Sequence, residues 1–208
     1  MSGGTVGVLN YEAGNLRSVE TALRHLDADY MVSAEPEKLA ACSRLIFPGV
    51  GEARAAMRAL HSAGLDRFLR EYAASGAPLL GICLGCQIVL DSTEENETEC
   101  LGIVPGRSLR FPSDTGLKIP HMGWNSVRHG GAHPLFAGIP EDSSFYFVHS
   151  YYPAIAENGM EIGATDYGIT FTSAFSRGNL CAVQFHPEKS GRWGLRLLAN
   201  FLTLEGGE

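Results

Sequence analysis

The stretch Ala77-Pro78-Leu79-Leu80-Gly81-Ile82-Cys83-Leu84-Gly85-Cys86-Gln87 joins an apolar run to a helix-like segment. Leu79 to Ile82 reads as a buried strand, and Leu84 to Leu90 as the helix that follows it. Gly81 and Gly85 stand two residues either side of Cys83, the spacing of a sharp strand-to-helix turn built around a nucleophile. Backbone in such a turn is strained, and side chains at the flanking positions would clash. The turn lifts the sulfur above the strand ends and sets it at a helix N-terminus, where the dipole favours anions. The backbone N–H of Leu84 then points at any oxyanion formed by attack from Cys83. Two other readings stay open. Cys83 is also acceptable as a small core residue, and Cys83 to Cys86 is also a C-x-x-C with redox or zinc-binding potential. There is no second C-x-x-C, and Cys42, Cys100 and Cys181 are scattered, so no metal site is expected.

Working outward, the N-terminal ninety or so residues alternate strand and helix patterns. Thr5–Leu9, Tyr30–Val32 and Leu45–Phe47 read as strands. Helical spacing recurs from Leu16 to Leu26, over Pro36–Cys42, over Ala53–Leu60 and over Leu65–Ala74. This alternation predicts an α/β fold, an open and mostly parallel sheet with helices on both faces. Asp91–Cys100 is acidic and reads as a solvated loop. Beyond Gly102 short β-rich runs between Gly, Pro and Asp turns predict an added antiparallel part on the same sheet: Ser108–Phe111, Asn125–Arg128, Ser144–Val148, Ile162–Ala164 and Thr170–Ala174. Leu180–Phe185 is a last strand and Gly194–Phe201 a closing helix. At 208 residues, with 45% hydrophobic and 19% charged residues, one domain over 1–208 is expected.

A net charge of −7 with no basic patch argues against nucleic acid. The longest apolar stretch, Pro78–Leu90, is interrupted by glycines and Gln87, so no membrane association is expected. Five cysteines without framework spacing, and no signal-peptide pattern before or after Arg17, suggest a reducing, cytoplasmic location.

A nucleophilic cysteine needs a base. Val183-Gln184-Phe185-His186-Pro187-Glu188 offers one at the end of a strand. If Pro187 keeps the chain extended, His186 and Glu188 share a face, and Glu188 fixes the imidazole tautomer while the other nitrogen serves Cys83. The two strand ends must then be neighbours at the C-terminal edge of the sheet, where ligands bind in doubly wound folds.

Gly81-Ile82-Cys83-Leu84-Gly85-Cys86-Gln87 together with Gln184-Phe185-His186-Pro187-Glu188-Lys189-Ser190 resembles the class I, triad-type glutamine amidotransferases. Asn10-Tyr11, Gly14-Asn15, Pro48-Gly49-Val50-Gly51, Pro120-His121-Met122-Gly123-Trp124-Asn125, Phe147-Val148-His149-Ser150-Tyr151 and Ala164-Thr165-Asp166-Tyr167-Gly168 sharpen the likeness to the glutaminase subunits of imidazole glycerol phosphate synthase. The resemblance implies hydrolysis of glutamine to glutamate and ammonia by Cys83, His186 and Glu188, with no cofactor. It places oxyanion donors at Leu84 and in the loop Gly49, Val50 and Gly51, and glutamine contacts at Gln87, Ser150 and Tyr151. It implies a heterodimer with a (β/α)8 cyclase that receives the ammonia in histidine biosynthesis, with Asn10, Asn15, Met122 and Trp124 at the partner face. Cys86 stands where the family commonly has methionine and could bridge to Cys83 on oxidation. Glu52 stands where a small residue is usual. A stand-alone Cys-His-Glu hydrolase, such as a gamma-glutamyl peptidase, and a non-catalytic interaction protein are the alternatives.

Overall fold

The computed structural model describes residues 4–11 and 16–206. Its first half alternates as the apolar pattern requires: β1 (Val6–Leu9), α1 (Leu16–His25), β2 (Tyr30–Ser33), α2 (Pro36–Ala40), β3 (Arg44–Gly49), α3 (Ala53–Ser62), α4 (Leu65–Ala74), β4 (Leu79–Cys83) and α5 (Leu84–Ile88). Strands then predominate: β5 (Ser92–Thr93), β6 (Thr98–Glu99), β7 (Gly106–Arg110), β8 (His121–Val127), β9 (Ser143–His149), β10 (Tyr151–Ile155), β11 (Glu161–Asp166), β12 (Thr170–Arg177) and β13 (Leu180–Val183). The last element is α6 (Gly191–Thr203).

Seven strands form the central sheet in the order β11-β12-β13-β4-β3-β1-β2. The five from β13 to β2 run parallel, and β12 and β11 extend the sheet antiparallel. Strands β1, β3, β4 and β13 are almost wholly buried, because a parallel sheet is covered on both faces and offers no polar side. Alternate residues of β3 serve opposite cores. Leu45 and Phe47 pack with Leu60 and Leu69 of α3 and α4, whereas Ile46 packs with Leu23 of α1 and Leu198 of α6. The sequence pattern α/β with helices on both faces is thereby met. Among the described residues no helix is long and apolar enough to cross a membrane.

The second half departs from a single extended sheet. Of its strands β11, β12 and β13 join the central sheet; β10-β7-β5-β6 form a second sheet, and β8-β9 a third. β9 buries alternate residues, and β7 and β10 only their middle residue, so none of these strands is buried on both faces. Pro120–Asn125 lies mostly in β8, paired with β9 from His121 opposite His149 to Val127 opposite Ser143. The acidic stretch is not a free loop either. Its carboxylates accept backbone N–H groups from distant segments: Asp91 from Gly106 (2.9 Å), Glu94 from Arg110 (2.7 Å) and Glu95 from Ala53 (2.7 Å). The helix after Cys83 ends at Ile88, earlier than its apolar run.

Candidate active site

Cys83 sits at the junction of β4 and α5 with φ 54° and ψ −108°, a conformation that a non-glycine residue adopts only when its surroundings impose it. Three neighbours impose it. β3 pairs alongside as far as Gly49 opposite Cys83, and β13 holds the other side, with Val183 opposite Ile82. α5 folds back so closely onto β3 that a Cβ at Gly85 would overlap the Phe47 carbonyl oxygen. Gly81 is tight as well: a Cβ there would lie 3.1 Å from the Gly85 oxygen. The two members of the C-x-x-C diverge. Cys83 lines a cleft of about 280 Å³, while Cys86 is in the core among α5, β3 and α3 residues, where burial first, and then Cys83, push its thiol well above the ordinary range. All five cysteines are free thiols. Among the described residues no group of three or more His, Cys, Asp or Glu is arranged to hold a metal ion.

His186 follows β13 and is brought to the same cleft because β13 and β4 are parallel neighbours. Its backbone is clamped by β9. His186 N–H donates to the Tyr146 carbonyl (2.9 Å), and the Ser190 hydroxyl donates to the His186 carbonyl (2.6 Å) while accepting from Tyr146 N–H (2.9 Å). Pro187 does not keep the chain extended as anticipated. Pro187–Lys189 is a 3-10 turn, which proline suits at its first position, and the turn swings Glu188 back to His186. The Glu188 carboxylate lies 2.8 Å from His186 Nδ1, and the two side chains are 3% and 2% exposed. This fixes Nδ1 as the protonated nitrogen. Burial alone would lower the imidazole pKa; Cys83, and then Glu188, outweigh it and push it up to about 10. His186 Nε2 is buried without a hydrogen bond of standard geometry among the described residues.

Val50, Gly51 and Leu84 line the cleft, Gly51 at a φ of +99° that side chains rarely adopt. Gly49 lies behind them, packed against Tyr11 and Leu84. Glu52 turns away from the cleft: it caps α3 by accepting from Ala55 N–H (3.3 Å) and takes the Asn96 side-chain amide (2.6 Å). Gln87, Ser150 and Tyr151 line the opposite wall. The Gln87 amide nitrogen is already committed, donating to the Tyr151 carbonyl (2.9 Å) and to Gln184 Oε1 (2.9 Å), which leaves its oxygen for a ligand. Gln184 in turn places its own amide nitrogen 3.9 Å from the Cys83 sulfur.

Four further residues escaped sequence reasoning. Glu95 and His149 line the cleft, and Gln184 and Ser190 support it from behind. Ser190 and Gln184 flank the His-Pro-Glu motif, which was the available signal; Glu95 was hidden in an acidic run that resembles ordinary surface. His149 is held neutral: burial lowers its pKa to about 3, and burial likewise lowers that of its neighbour His121 to about 4.

Of the residues assigned to a partner face, Met122 and Trp124 are 63% and 59% exposed on β8. The Trp124 ring meets Tyr146 edge-on at 6.1 Å, and Tyr146 is the residue whose backbone clamps His186 and Ser190. Asn10 follows β1 and donates its N–H to the Ser33 carbonyl (2.9 Å). Asn15 lies outside the described residues.

A strained cysteine, a clamped imidazole and a buried carboxylate at one sheet edge are what a thiol amidohydrolase of this topology needs, and residues 8–204 match the family Glutamine amidotransferase class-I. The chain belongs to that family. Within it, the chain is 46% identical over 200 residues to the imidazole glycerol phosphate synthase subunit HisH of Herpetosiphon aurantiacus, covering 96% of this chain and 94% of that protein. It is 50% identical over 211 residues to the HisH subunit of Methylococcus capsulatus, covering 97% of each. PurLQS from Thermotoga maritima shares the fold, with a TM-score of 0.73 over 95% of this chain and 97% of that one at 16% identity.

Proposed function

We infer that the chain is the glutamine-hydrolysing subunit of an imidazole glycerol phosphate synthase, in histidine biosynthesis. The observation that carries this reading is the convergence of Cys83 and His186 on one small cleft, with Glu188 behind on His186 Nδ1, in a chain of HisH-like sequence throughout. In the reading we propose, the Cys83 sulfur attacks the side-chain amide carbon of glutamine, its proton already held by His186 Nε2. The oxyanion is met by the Leu84 N–H and by an N–H of the Pro48–Gly51 loop. His186 returns the proton to the departing nitrogen, which leaves as ammonia, and a thioester remains. Water then attacks the thioester, His186 takes its proton and passes it to the sulfur, and glutamate departs. Glu188 holds the imidazole in one tautomer throughout and stabilises its charged form.

The ammonia passes to a partner. We propose a heterodimer with a (β/α)8 cyclase, docked on the face bearing Asn10, Asn15, Met122 and Trp124, in a reducing cytoplasm that keeps the five thiols free. Residues 1–208 form one amidotransferase domain in this reading. The test is ammonia release from glutamine by the purified chain, alone and with a cyclase and its nucleotide, together with labelling by an electrophilic glutamine analogue. Labelling at Cys42, Cys86, Cys100 or Cys181 with Cys83 untouched would overturn the assignment of the nucleophile.

A further inference from the structure

Behind the cleft a second polar chain leads away from Cys83 into β8. His121 and His149 are both buried and stand directly opposite each other in the β8–β9 ladder. His149 Nδ1 is 2.7 Å from the Tyr151 carbonyl, and a carbonyl only accepts, so Nδ1 carries the proton. His149 Nε2 is therefore an acceptor, and His121 Nδ1, 3.0 Å away, must donate to it. His121 Nε2 is left to accept from the Asn125 amide nitrogen at 3.3 Å. The orientation of that amide is set independently: its nitrogen also donates to the Asp166 carbonyl (2.9 Å), and its oxygen accepts from Ser126 N–H (2.8 Å). Every proton in the chain thus points one way, from β8 toward the cleft. The terminal acceptor, the Tyr151 carbonyl, is shared with Gln87, whose amide continues through Gln184 to the Cys83 sulfur.

We propose that His121 and His149 are positioning residues for glutamine hydrolysis: as a one-way pair of neutral imidazoles they hold the Tyr151 carbonyl, and through it the amide of Gln87 and the Ser150–Tyr151 wall of the cleft. The proposal rests on the glutaminase reading. His121 has a built seat for this task, stacked between Phe147 (4.8 Å) and Tyr167 (4.0 Å). His121→Phe keeps that stacking and removes the donor; His149→Leu removes the donor to Tyr151; His149→Asn replaces it, because an asparagine amide nitrogen overlays Nδ1.

With the chain assayed in its complex with the partner subunit, His121→Phe and His149→Leu should raise KM for glutamine about tenfold, the loss expected when a buried polar group is left unpaired. The change in kcat should be the smaller of the two, and His149→Asn should recover most of the KM. Ammonia-dependent synthesis should be unaffected in all three. In nitrogen-15 histidine spectra of the wild-type chain, both rings should be neutral with the proton on Nδ1. Either ring protonated at Nε2 instead overturns the relay, even if the variants fail to fold. Unchanged KM in folded His121→Phe and His149→Leu also overturns it, as does a loss confined to kcat. Failure of the wild-type chain to be labelled at Cys83 by the glutamine analogue would instead sink the glutaminase reading itself.

Discussion

At the scale of single residues the site is a set of mutual constraints around one strained backbone. Glu188 has a single useful contact, the His186 Nδ1 proton, and its second oxygen is buried without a partner among the described residues. In the proposed mechanism His186 and Cys83 act on the same proton, so their losses should not add. Removing a general base typically costs about a hundred- to ten-thousand-fold in rate. Cys83→Ala/His186→Ala should be no worse than either single variant, and Glu188→Gln should be milder than His186→Ala; steady-state ammonia release measures all of them. The raised pKa of His186 also has a stability consequence. A group that holds its proton more tightly when folded contributes in full below its unfolded pKa, about 6.5, and loses that contribution as pH rises through the folded value of about 10. Urea unfolding of the wild-type chain between pH 6.5 and 10 should show falling stability, and His186→Gln should flatten that fall. A parallel decline in both proteins would show that other groups cause it. Ser190 serves two backbone groups at once, so Ser190→Ala should cost about 1–3 kcal/mol of stability and displace His186, seen as lower kcat with little change in KM.

At the scale of elements, the turn at Cys83 depends on how closely α5 lies on β3. A Cβ at Gly85 has nowhere to go but into the Phe47 carbonyl, and backbone cannot rotate aside as a side chain can. Gly85→Ala should therefore push α5 off β3, costing about 1–3 kcal/mol as overpacking does. For a chain of this size that is roughly 2–4 °C in Tm per kcal/mol. Because α5 starts at Cys83, loss of activity should exceed what the remaining folded fraction explains. Thermal melts with activity measured well below Tm separate the two effects. Wild-type activity in a folded Gly85→Ala chain would show that the turn tolerates a different seat for α5.

At the scale of the whole molecule, one face joins the chemistry to the surface. The end of β3 and the turn at Cys83 lie at the same sheet edge, and Met122 and Trp124 are exposed on β8. Trp124 leans on Tyr146, and Tyr146 clamps His186, so a partner that covers Trp124 presses on the support of the base. In the proposed docking, a hot-spot aromatic typically contributes about 2 kcal/mol or more to binding, roughly thirtyfold in affinity. Trp124→Ala should weaken partner binding by that order and reduce stimulated turnover, while leaving Tm nearly unchanged because the ring is mostly exposed. Titration with cyclase, followed by ammonia release, checks it. Unchanged affinity and stimulation would remove Trp124 from the docking face.

Local chemistry made the parallel half and the strained turn at Cys83 legible. Apolar runs of four or five residues between helical repeats admit few arrangements, and glycines two residues either side of a cysteine mark a turn that few other sequences can make. The His-Pro-Glu motif was legible for its residues but not for its conformation: proline permits either an extended chain or the first position of a 3-10 turn, and only packing against β9 selects the turn. The division of the second half into three sheets, the anchoring of the acidic stretch, and the chain from Asn125 through His121 and His149 to Gln87 each turn on at least one partner distant in the chain: Arg110 for Glu94, His149 for His121 and Tyr151 for Gln87. Short alternating strands look alike whichever neighbour they pair with, and a carboxylate looks solvated until a distant N–H reaches it. Such pairings come from long-range contacts, which leave no period or spacing in the chain.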